Sequence, residues 1–392
     1  METGNRRQGM VFAAMCGLNT SLGMLTNVPG VFFVPIAEDL GVGRGSVALT
    51  LTISNLAFAL AGMFTARLMK AMRLRQLVAL GTAVNVAATA ALALVRAMPL
   101  LYLLNALRGL AVGAMGLVLM TVVLNNWFQR NNSLITSVVL SCSGVAGVAL
   151  SPVLSALIQG MGWRMTYVVV AGIILALNLP ALLLPISLSP EAQPPREGSG
   201  ERDEKKRESA NGRGIVPGFV PALAFSLFGA LLTAFPQHLP ALALSHGLSE
   251  SMGSLMLSLC MAANVGGKLL LGFLADHIGA RKSILFYGFL LLFASWLLRW
   301  TSVSALGSGS ILLGLSYGII TVGLVAFTRE CFGLNAYERV FPALNLGTAA
   351  SNALGASLFG FLYDFTGTYA LALNLVSVAI VVASLALLTA YR

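Results

Sequence analysis

Residues 261–282 read MAANVGGKLLLGFLADHIGARK, and this stretch decides the fold. Its first part is apolar and rich in small residues, as in a membrane-spanning helix, but it carries one lysine, Lys268. Its second part, from Gly272 to Lys282, is a short charged turn before the next apolar run. Lys268 precedes Asp276 by eight residues, or ~12 Å along a helix. A lysine in hydrocarbon costs ~3 kcal/mol on insertion scales, so we expect Lys268 to face protein or water.

The composition is that of a polytopic helical membrane protein. The chain has 392 residues, of which 57% are hydrophobic and 10% charged, and its mean hydropathy is +0.85. A soluble domain carries about 25% charged residues. The net charge of +10 lies mostly in loops on one predicted side, as the positive-inside rule requires, and does not indicate a nucleic-acid partner. The four cysteines have no metal-ligand spacing, and no cofactor is expected.

Twelve apolar windows are long enough to span a bilayer. They lie at about 10–37, 46–66, 76–95, 98–124, 134–158, 165–186, 215–243, 251–273, 283–300, 305–327, 339–362 and 368–390. Residues 187–214, between the sixth and seventh windows, are rich in Pro, Gly, Ser and charge and are predicted to form a flexible linker. The predicted organisation is therefore a six-helix bundle over 1–186, a linker over 187–214 and a second six-helix bundle over 215–392.

The distribution of Lys and Arg predicts the orientation. With the N-terminus inside, eighteen of these residues fall in inner segments and four, Arg44, Arg96, Arg164 and Arg299, in outer segments. Because the inner loops of membrane proteins carry the excess of positive charge, both termini are predicted to be cytoplasmic, in a multi-pass protein of the cell (inner) membrane.

The charged turn carries a resemblance. Gly272, Asp276, Gly279 and the pair Arg281-Lys282 fit the loop signature G-x-L-a-D-r-x-G-r, followed by Arg or Lys, of the major facilitator superfamily. His277 stands where that family usually has Arg or Lys. The resemblance implies an all-α fold of twelve transmembrane helices in two pseudo-symmetric bundles that rock about a midplane site. It also implies that Gly272, Asp276, Gly279 and Arg281 form a cytoplasmic conformational latch.

A narrower resemblance is to the monocarboxylate porter and oxalate/formate antiporter branch. It rests on NVPGVFFVPIAEDLG (27–41), NWFQR (126–130), GWR (162–164) and the lysine of span eight. In the monocarboxylate branch a cation stands four residues before the signature glycine, where this chain has Lys268. Better-known members carry an aspartate four residues earlier, where this chain has Asn264. The substitution leaves coupling to protons open.

Lys268 is predicted to hold an anionic substrate in a central cavity; the alternative is a helix-end lysine that reaches the interface. Arg108, about ten residues into span four, either binds the same ligand through its planar fork or bonds the carbonyls of a neighbouring helix. Asn27 precedes Pro29-Gly30, where a helix break would free backbone groups toward a cavity.

Three more side chains complete the candidate substrate site. Tyr317 is either a gating group or an aromatic ring packed on glycines, and Asn264 lies one turn before Lys268. A histidine side chain ordinarily titrates near neutrality, so His238 could relay protons, although a capping or interfacial role is the simpler interpretation.

No Asp or Glu is predicted inside a span, so a cavity with two cations should attract anions. The sequence therefore predicts a monomeric secondary transporter of a small organic anion, a mono- or dicarboxylate, and not an enzyme. The bilayer is its surroundings, and protons are left open as a second solute. The alternatives are a facilitator-type uptake or efflux carrier for a larger neutral metabolite or drug, and a transport-dead membrane sensor.

Overall fold

The computed structural model describes residues 2–128, 132–184 and 218–390, which are almost entirely helical, with no strand in that part of the chain. The α-helices are α1 (Glu2–Thr26), α2 (Phe33–Leu40), α3 (Arg44–Ala71), α4 (Leu74–Ala91), α5 (Met98–Ala114), α6 (Leu117–Trp127), α7 (Asn132–Leu183), α8 (Phe219–Leu231), α9 (Leu239–Ser245), α10 (Glu250–Ile278), α11 (Ala280–Leu297), α12 (Val303–Ser316), α13 (Leu324–Thr366) and α14 (Ala370–Ala390). Short 3-10 segments lie at Pro29–Phe32, Leu92–Leu94 and Leu232–His238, and a π-helical turn lies at Ile319–Gly323. The predicted linker, 187–214, lies outside the described residues.

The helices of the described residues account for twelve membrane crossings. Ten stretches of the described residues are long and apolar enough to span a bilayer. One of them, Val138–Leu183, has 46 residues, about twice the length that a ~30 Å hydrocarbon core requires. Gly162 divides α7 into two crossings, because its φ of 79° and ψ of 161° are not helical. Another such stretch, Val303–Phe332, ends inside α13. Because α13 continues from there to Thr366, it is long enough to form one more crossing.

The two halves repeat one packing scheme. In the first half, residues 2–184, α1 packs along α7 and α3 packs along α5. In the second half, residues 218–390, α8 packs along α13 and α14, and α10 packs along α12. The fold is an all-α membrane bundle with two pseudo-symmetric halves.

The first span of each half is interrupted at the same point. α1 ends at Thr26, and a 3-10 segment beginning at Pro29 leads into α2. α8 ends at Leu231, and a 3-10 segment that contains Pro236 leads into α9. Proline removes a backbone donor, so these breaks leave polar groups that need other partners. The two 3-10 segments pack against each other where the halves meet.

A seam joins the halves at the end predicted to face outside. At one side of it, α3 and α13 approach so closely that a Cβ added to Gly360 would lie 2.5 Å from the Cα of Gly45. Deeper along the same pair, the Thr52 hydroxyl is hydrogen-bonded to the Ser357 hydroxyl at 2.6 Å. These contacts need small residues on both helices, as in other close helix pairs in membranes.

α7 and α10 form the other side of the seam. The Gln159 amide donates to the Ser251 hydroxyl at 3.2 Å, and the Ser258 hydroxyl donates to the Val148 carbonyl. The paired sides α3–α13 and α7–α10 follow the pseudo-symmetry of the halves, so the seam is closed from both directions.

Candidate functional site

A small polar cavity lies where the breaks of spans one and seven meet. Its volume is about 90 Å³. Both halves line it: the first with Thr26, Asn27, Leu51 and Asn55, and the second with Thr233, Ala234, Gln237, Tyr317 and Asn352. Most of these side chains are amides or hydroxyls, so the cavity offers hydrogen-bonding groups and no formal charge of its own.

Hydrogen bonds across and around the cavity fix its amides. Gln237 bridges the halves, because its Oε1 accepts from the Gly30 N–H at 3.0 Å and its Nε2 donates to the Thr26 carbonyl at 3.2 Å. The Asn27 amide donates to the Ser143 carbonyl at 2.8 Å. Asn352 donates to the Thr233 hydroxyl within the second half. Any polar solute that reaches this cavity therefore meets oriented amide groups.

Lys268 lies beside this cavity without lining it. It is half-buried on α10, and its Nζ is 5.9 Å from the ring centroid of Tyr317, which does line the cavity. That distance is within the range of a cation–π contact. Asn264 is buried one turn earlier, and its Oδ1 has no hydrogen-bond partner among the described residues. Residues four apart share a helix face, so Asn264 and Lys268 present an acceptor and a cation on the same side of α10.

Arg108 lies in a separate cavity inside the first half. Its side chain is 4% exposed, and its Nη1 donates to Asn105 Oδ1 at 3.1 Å. The guanidinium carbon is 5.9 Å from the ring centroid of Tyr167. The residues around Arg108 all belong to the first half, and Leu51 lines both this cavity and the central one. Arg108 and Lys268 thus do not share one cavity in this conformation.

His238 is a buried part of the second half and does not line the central cavity. Its Nε2 is 2.7 Å from the Ala356 carbonyl and its Nδ1 is 3.2 Å from the Tyr369 hydroxyl. Because a carbonyl only accepts, Nε2 carries the proton and Nδ1 accepts from Tyr369 in the neutral ring. The ring also packs against Phe33, Phe235 and Phe359. His238 is fully buried and its side chain makes no cap hydrogen bond. It is therefore neither the capping nor the interfacial histidine of the simpler interpretation, but a side chain packed inside the second half.

The charged turn forms the junction between α10 and α11. Gly279 ends one helix and begins the next with φ 86° and ψ 152°, a conformation open essentially to glycine alone. The first N–H of α11, from Ala280, donates to Glu330 Oε2 at 2.6 Å. Asp276 and Arg281 are exposed on either side of this turn, and Gly272 is half-buried on α10.

Several residues around the site carry little local signal that sequence reasoning could use. The sequence places Glu330 only in an inner segment, yet this residue caps α11 from a position 50 residues away. Gln237 and Asn55 resemble ordinary polar residues of a span. The signal available for Gln237 was its place between Pro236 and Pro240, which mirrors the break at Pro29.

Comparison with known proteins gives a family match over most of the chain. A model of the Major Facilitator Superfamily matches residues 15–304 and 222–392. Human monocarboxylate transporter 11 is 26% identical over 265 residues, 63% of this chain and 54% of that protein. The MFS-type transporter YcxA of Bacillus subtilis is 23% identical over 271 residues, 65% of this chain and 63% of that protein. The MFS-type transporter pytF of Aspergillus terreus is 26% identical over 156 residues, 40% of this chain and 50% of that protein.

These matches span about half to three fifths of the length of the curated relatives. Two solved structures share the fold. A mutant form of the nucleoside transporter NupG superposes with a TM-score of 0.76 at 13% identity, over 98% of this chain and all of that one. A bacterial homologue of the human lysosomal transporter Spinster, inward-facing and unoccupied, superposes with a TM-score of 0.73 at 15% identity, over 98% of this chain and 96% of that one. The chain belongs to the major facilitator superfamily of membrane transporters.

Proposed function

We propose that this chain is a secondary transporter of a small organic anion, a mono- or dicarboxylate, that works by alternating access. The observation that carries the proposal is Lys268, a lysine on a membrane-spanning helix beside the cavity that both halves line. A cation on a membrane-spanning helix is costly unless it is paired or hydrated, and a carboxylate is its natural partner.

The distribution of acidic residues supports an anionic substrate. Among the acidic side chains that the structure describes, Glu38, Asp39, Asp276, Glu330 and Asp364 are exposed, and Glu250 is the first residue of α10. None of these six acidic residues forms an ion pair with Lys268, so in this proposal its charge is available to a solute. The monocarboxylate transporter among the relatives agrees with this substrate class by its name.

The closed seam supports alternating access. The contacts Gly45–Gly360, Thr52–Ser357 and Gln159–Ser251 all lie at the end predicted to face outside. In our proposal this conformation faces the cytoplasm, and the seam opens when the halves rock the other way. The same proposal places both termini in the cytoplasm, the chain in the cell (inner) membrane and a monomer as the working unit.

The cavity itself supports a second candidate, a carrier for a neutral polar metabolite. Asn27, Asn55, Gln237 and Asn352 line it, and none of them is charged. Amide side chains can form hydrogen bonds with the hydroxyl and amide groups of a neutral solute as readily as they can with a carboxylate. The two candidates differ in whether Lys268 contacts the substrate.

Thermal unfolding of the purified full-length chain against a panel of carboxylates and neutral polar solutes tests the proposal. A ligand at 100 times its Kd stabilises the folded form by about 2.7 kcal/mol. We expect a carboxylate to stabilise the wild type and Lys268→Gln to remove that effect, while Lys70→Gln, at the exposed end of α3, retains it. Stabilisation by a neutral solute that persists in Lys268→Gln would instead establish the second candidate.

A further inference from the structure

A second cavity lies at the predicted outer end of the second half, outside the seam. Its volume is about 150 Å³. It is lined by the end of α9, the residues that follow α11 and the turn before α14. One water occupies about 30 Å³ in the liquid, so a polyatomic group with several oxygens fits this space.

Basic and hydrogen-bonding groups converge on this cavity. Arg299 lines it, and its guanidinium is held by bonds from Nε to the Ser295 carbonyl at 3.3 Å and from Nη2 to the Ser377 hydroxyl at 3.4 Å. His246 also lines it, and its buried Nδ1 has no hydrogen-bond partner among the described residues. An unpartnered buried nitrogen is costly, so a group that formed a hydrogen bond with this ring would be favoured.

The turn before α14 adds a second source of positive potential. Thr368 and Ala370 line the cavity, and Ala370 is the first residue of the 21-residue helix α14. The first N–H groups of such a helix, together with its dipole, favour an anion. The acidic residue nearest to this turn in sequence is Asp364. Its carboxylate accepts hydrogen bonds from the backbone N–H groups of Arg44 and Gly45 across the seam.

Aromatic residues place the cavity at the level of the lipid headgroups. Trp296 and Trp300 flank Arg299 in sequence and are 49% and 55% exposed. Their ring centroids are 5.5 Å apart, and Trp296 stacks on Phe293 at 5.6 Å. Tryptophan is enriched at the membrane–water interface, where its ring lies among the headgroups. The cavity thus opens where phospholipid phosphates are found.

We propose that this cavity binds a phosphate oxyanion, supplied by the headgroup of an anionic phospholipid of the outer leaflet. The Arg299 guanidinium and the α14 N-terminus contact the phosphate oxygens, and the imidazole of His246, which lines the same cavity, donates to one of them. This site is independent of the transport cavity and of the identity of the transported solute. A free phosphate shares this chemistry, and the experiment separates the two sources.

The test is native mass spectrometry of the full-length chain in detergent, with phosphatidylglycerol, phosphatidylcholine or inorganic phosphate added. Four variants are compared with the wild type: Arg299→Gln, Arg299→Lys, His246→Gln and the control Arg96→Gln. Arg96 is an exposed arginine of the predicted outer face in the other half. We expect Arg299→Gln to weaken phosphatidylglycerol binding about tenfold, since it removes a charge-assisted hydrogen bond. Arg96→Gln should leave binding unchanged, and Arg299→Lys should retain part of it.

Each outcome decides the matter. Phosphatidylglycerol binding that depends on Arg299 and His246, with no binding of inorganic phosphate at millimolar concentration, establishes the lipid headgroup as the source. Binding of inorganic phosphate that depends on the same two residues establishes the oxyanion site with a soluble source. The proposal is overturned if Arg299→Gln and His246→Gln bind each of the three ligands as well as the wild type does. If Arg299→Gln does not fold, the comparison of the wild type with His246→Gln decides between these outcomes.

Discussion

The carboxylate of Asp364 caps α3 from the opposite half of the molecule, with its Oδ2 accepting a hydrogen bond from the Gly45 N–H at 2.7 Å. Its Oδ1 accepts from the Arg44 N–H at 2.8 Å, and the Arg44 guanidinium lies 4.0 Å from the ring centroid of Tyr363. The N-cap residue of α3, Gly43, has no side chain to do this. The positive end of a 28-residue helix is therefore neutralised only when the halves are closed at the predicted outer end.

Asp364→Ala should favour the conformation that is open to the outside. Losing a helix cap of this kind costs about 1–2 kcal/mol, which changes a conformational ratio roughly five- to thirtyfold. Asn55 lines the central cavity, so a cysteine introduced by Asn55→Cys reports access to that cavity. The four native cysteines are first replaced, so that only this cysteine can be labelled. Labelling of this cysteine by a membrane-impermeant maleimide in right-side-out vesicles should become faster in the Asp364→Ala variant.

Asp39→Ala is the matched control for that experiment. Asp39 lies at the same predicted face and pairs with Arg164 at 2.7 Å, but both belong to the first half. Removing that ion pair should leave the labelling rate of Asn55→Cys near the wild-type value. Equal acceleration by both variants would show that loss of negative charge, rather than loss of the cap, controls access.

Local sequence patterns predict the fold well because membrane helices are specified by local composition. The length and spacing of the apolar windows predict the twelve crossings, and Pro29-Gly30 predicts the break in span one. The contacts across the seam are not predicted by such local patterns. Asp364 and Gly45 are 319 residues apart, and nothing near either residue specifies its partner. The same holds for Gln237 and Gly30, which are 207 residues apart.

The candidate substrate site was predictable only in part, for a related reason. Lys268 is conspicuous because a charge in a span is costly, and Asn27 because it precedes a helix break. Arg108 is equally conspicuous, yet Asn105 and Tyr167 hold it inside the first half. Whether a polar residue faces the cavity depends on the rotation of its helix, and a weak amphipathic pattern does not specify that rotation.

Gly279→Ala should destabilise the protein by about 1–3 kcal/mol. The φ of 86° and ψ of 152° at Gly279 lie in a region that L-residues with a Cβ rarely enter, so the strain arises whatever space is available. Thermal unfolding of the purified chain measures the loss. Gly266→Ala is the control, because Gly266 lies within a helix and an added Cβ meets no atom within 4 Å. An unchanged unfolding temperature for Gly279→Ala would mean that the α10–α11 turn adapts without cost.

His238→Ala should lower stability without changing the shape of the pH profile of uptake. The substitution leaves a cavity and removes the partner of the Tyr369 hydroxyl and of the Ala356 carbonyl, for a loss of about 2–4 kcal/mol. The control is His277→Ala, because His277 is exposed. The measurements are thermal unfolding and initial uptake rates across a range of pH. A stable variant with a flattened pH profile would instead assign His238 to proton transfer.

Asn264→Asp should create, or steepen, a pH dependence of uptake. In the wild type the side chain at this position cannot titrate, although it lies one helical turn before Lys268 and its buried Oδ1 has no partner among the described residues. A carboxyl there would face the lysine on the same side of α10 and could take up and release a proton during each cycle. We therefore expect the wild type to lack coupling through a protein carboxylate, and the variant to gain it.

The measurement is substrate flux into proteoliposomes, with and without a pH gradient. It compares the wild type with Asn264→Asp and with the neutral control Asn264→Gln. The contradicting result is accumulation of substrate by the wild type, driven by the pH gradient. It counts if the substrate is fully ionised at every pH used and if His238→Ala accumulates substrate as the wild type does. Lys268 would then be left as the proton carrier.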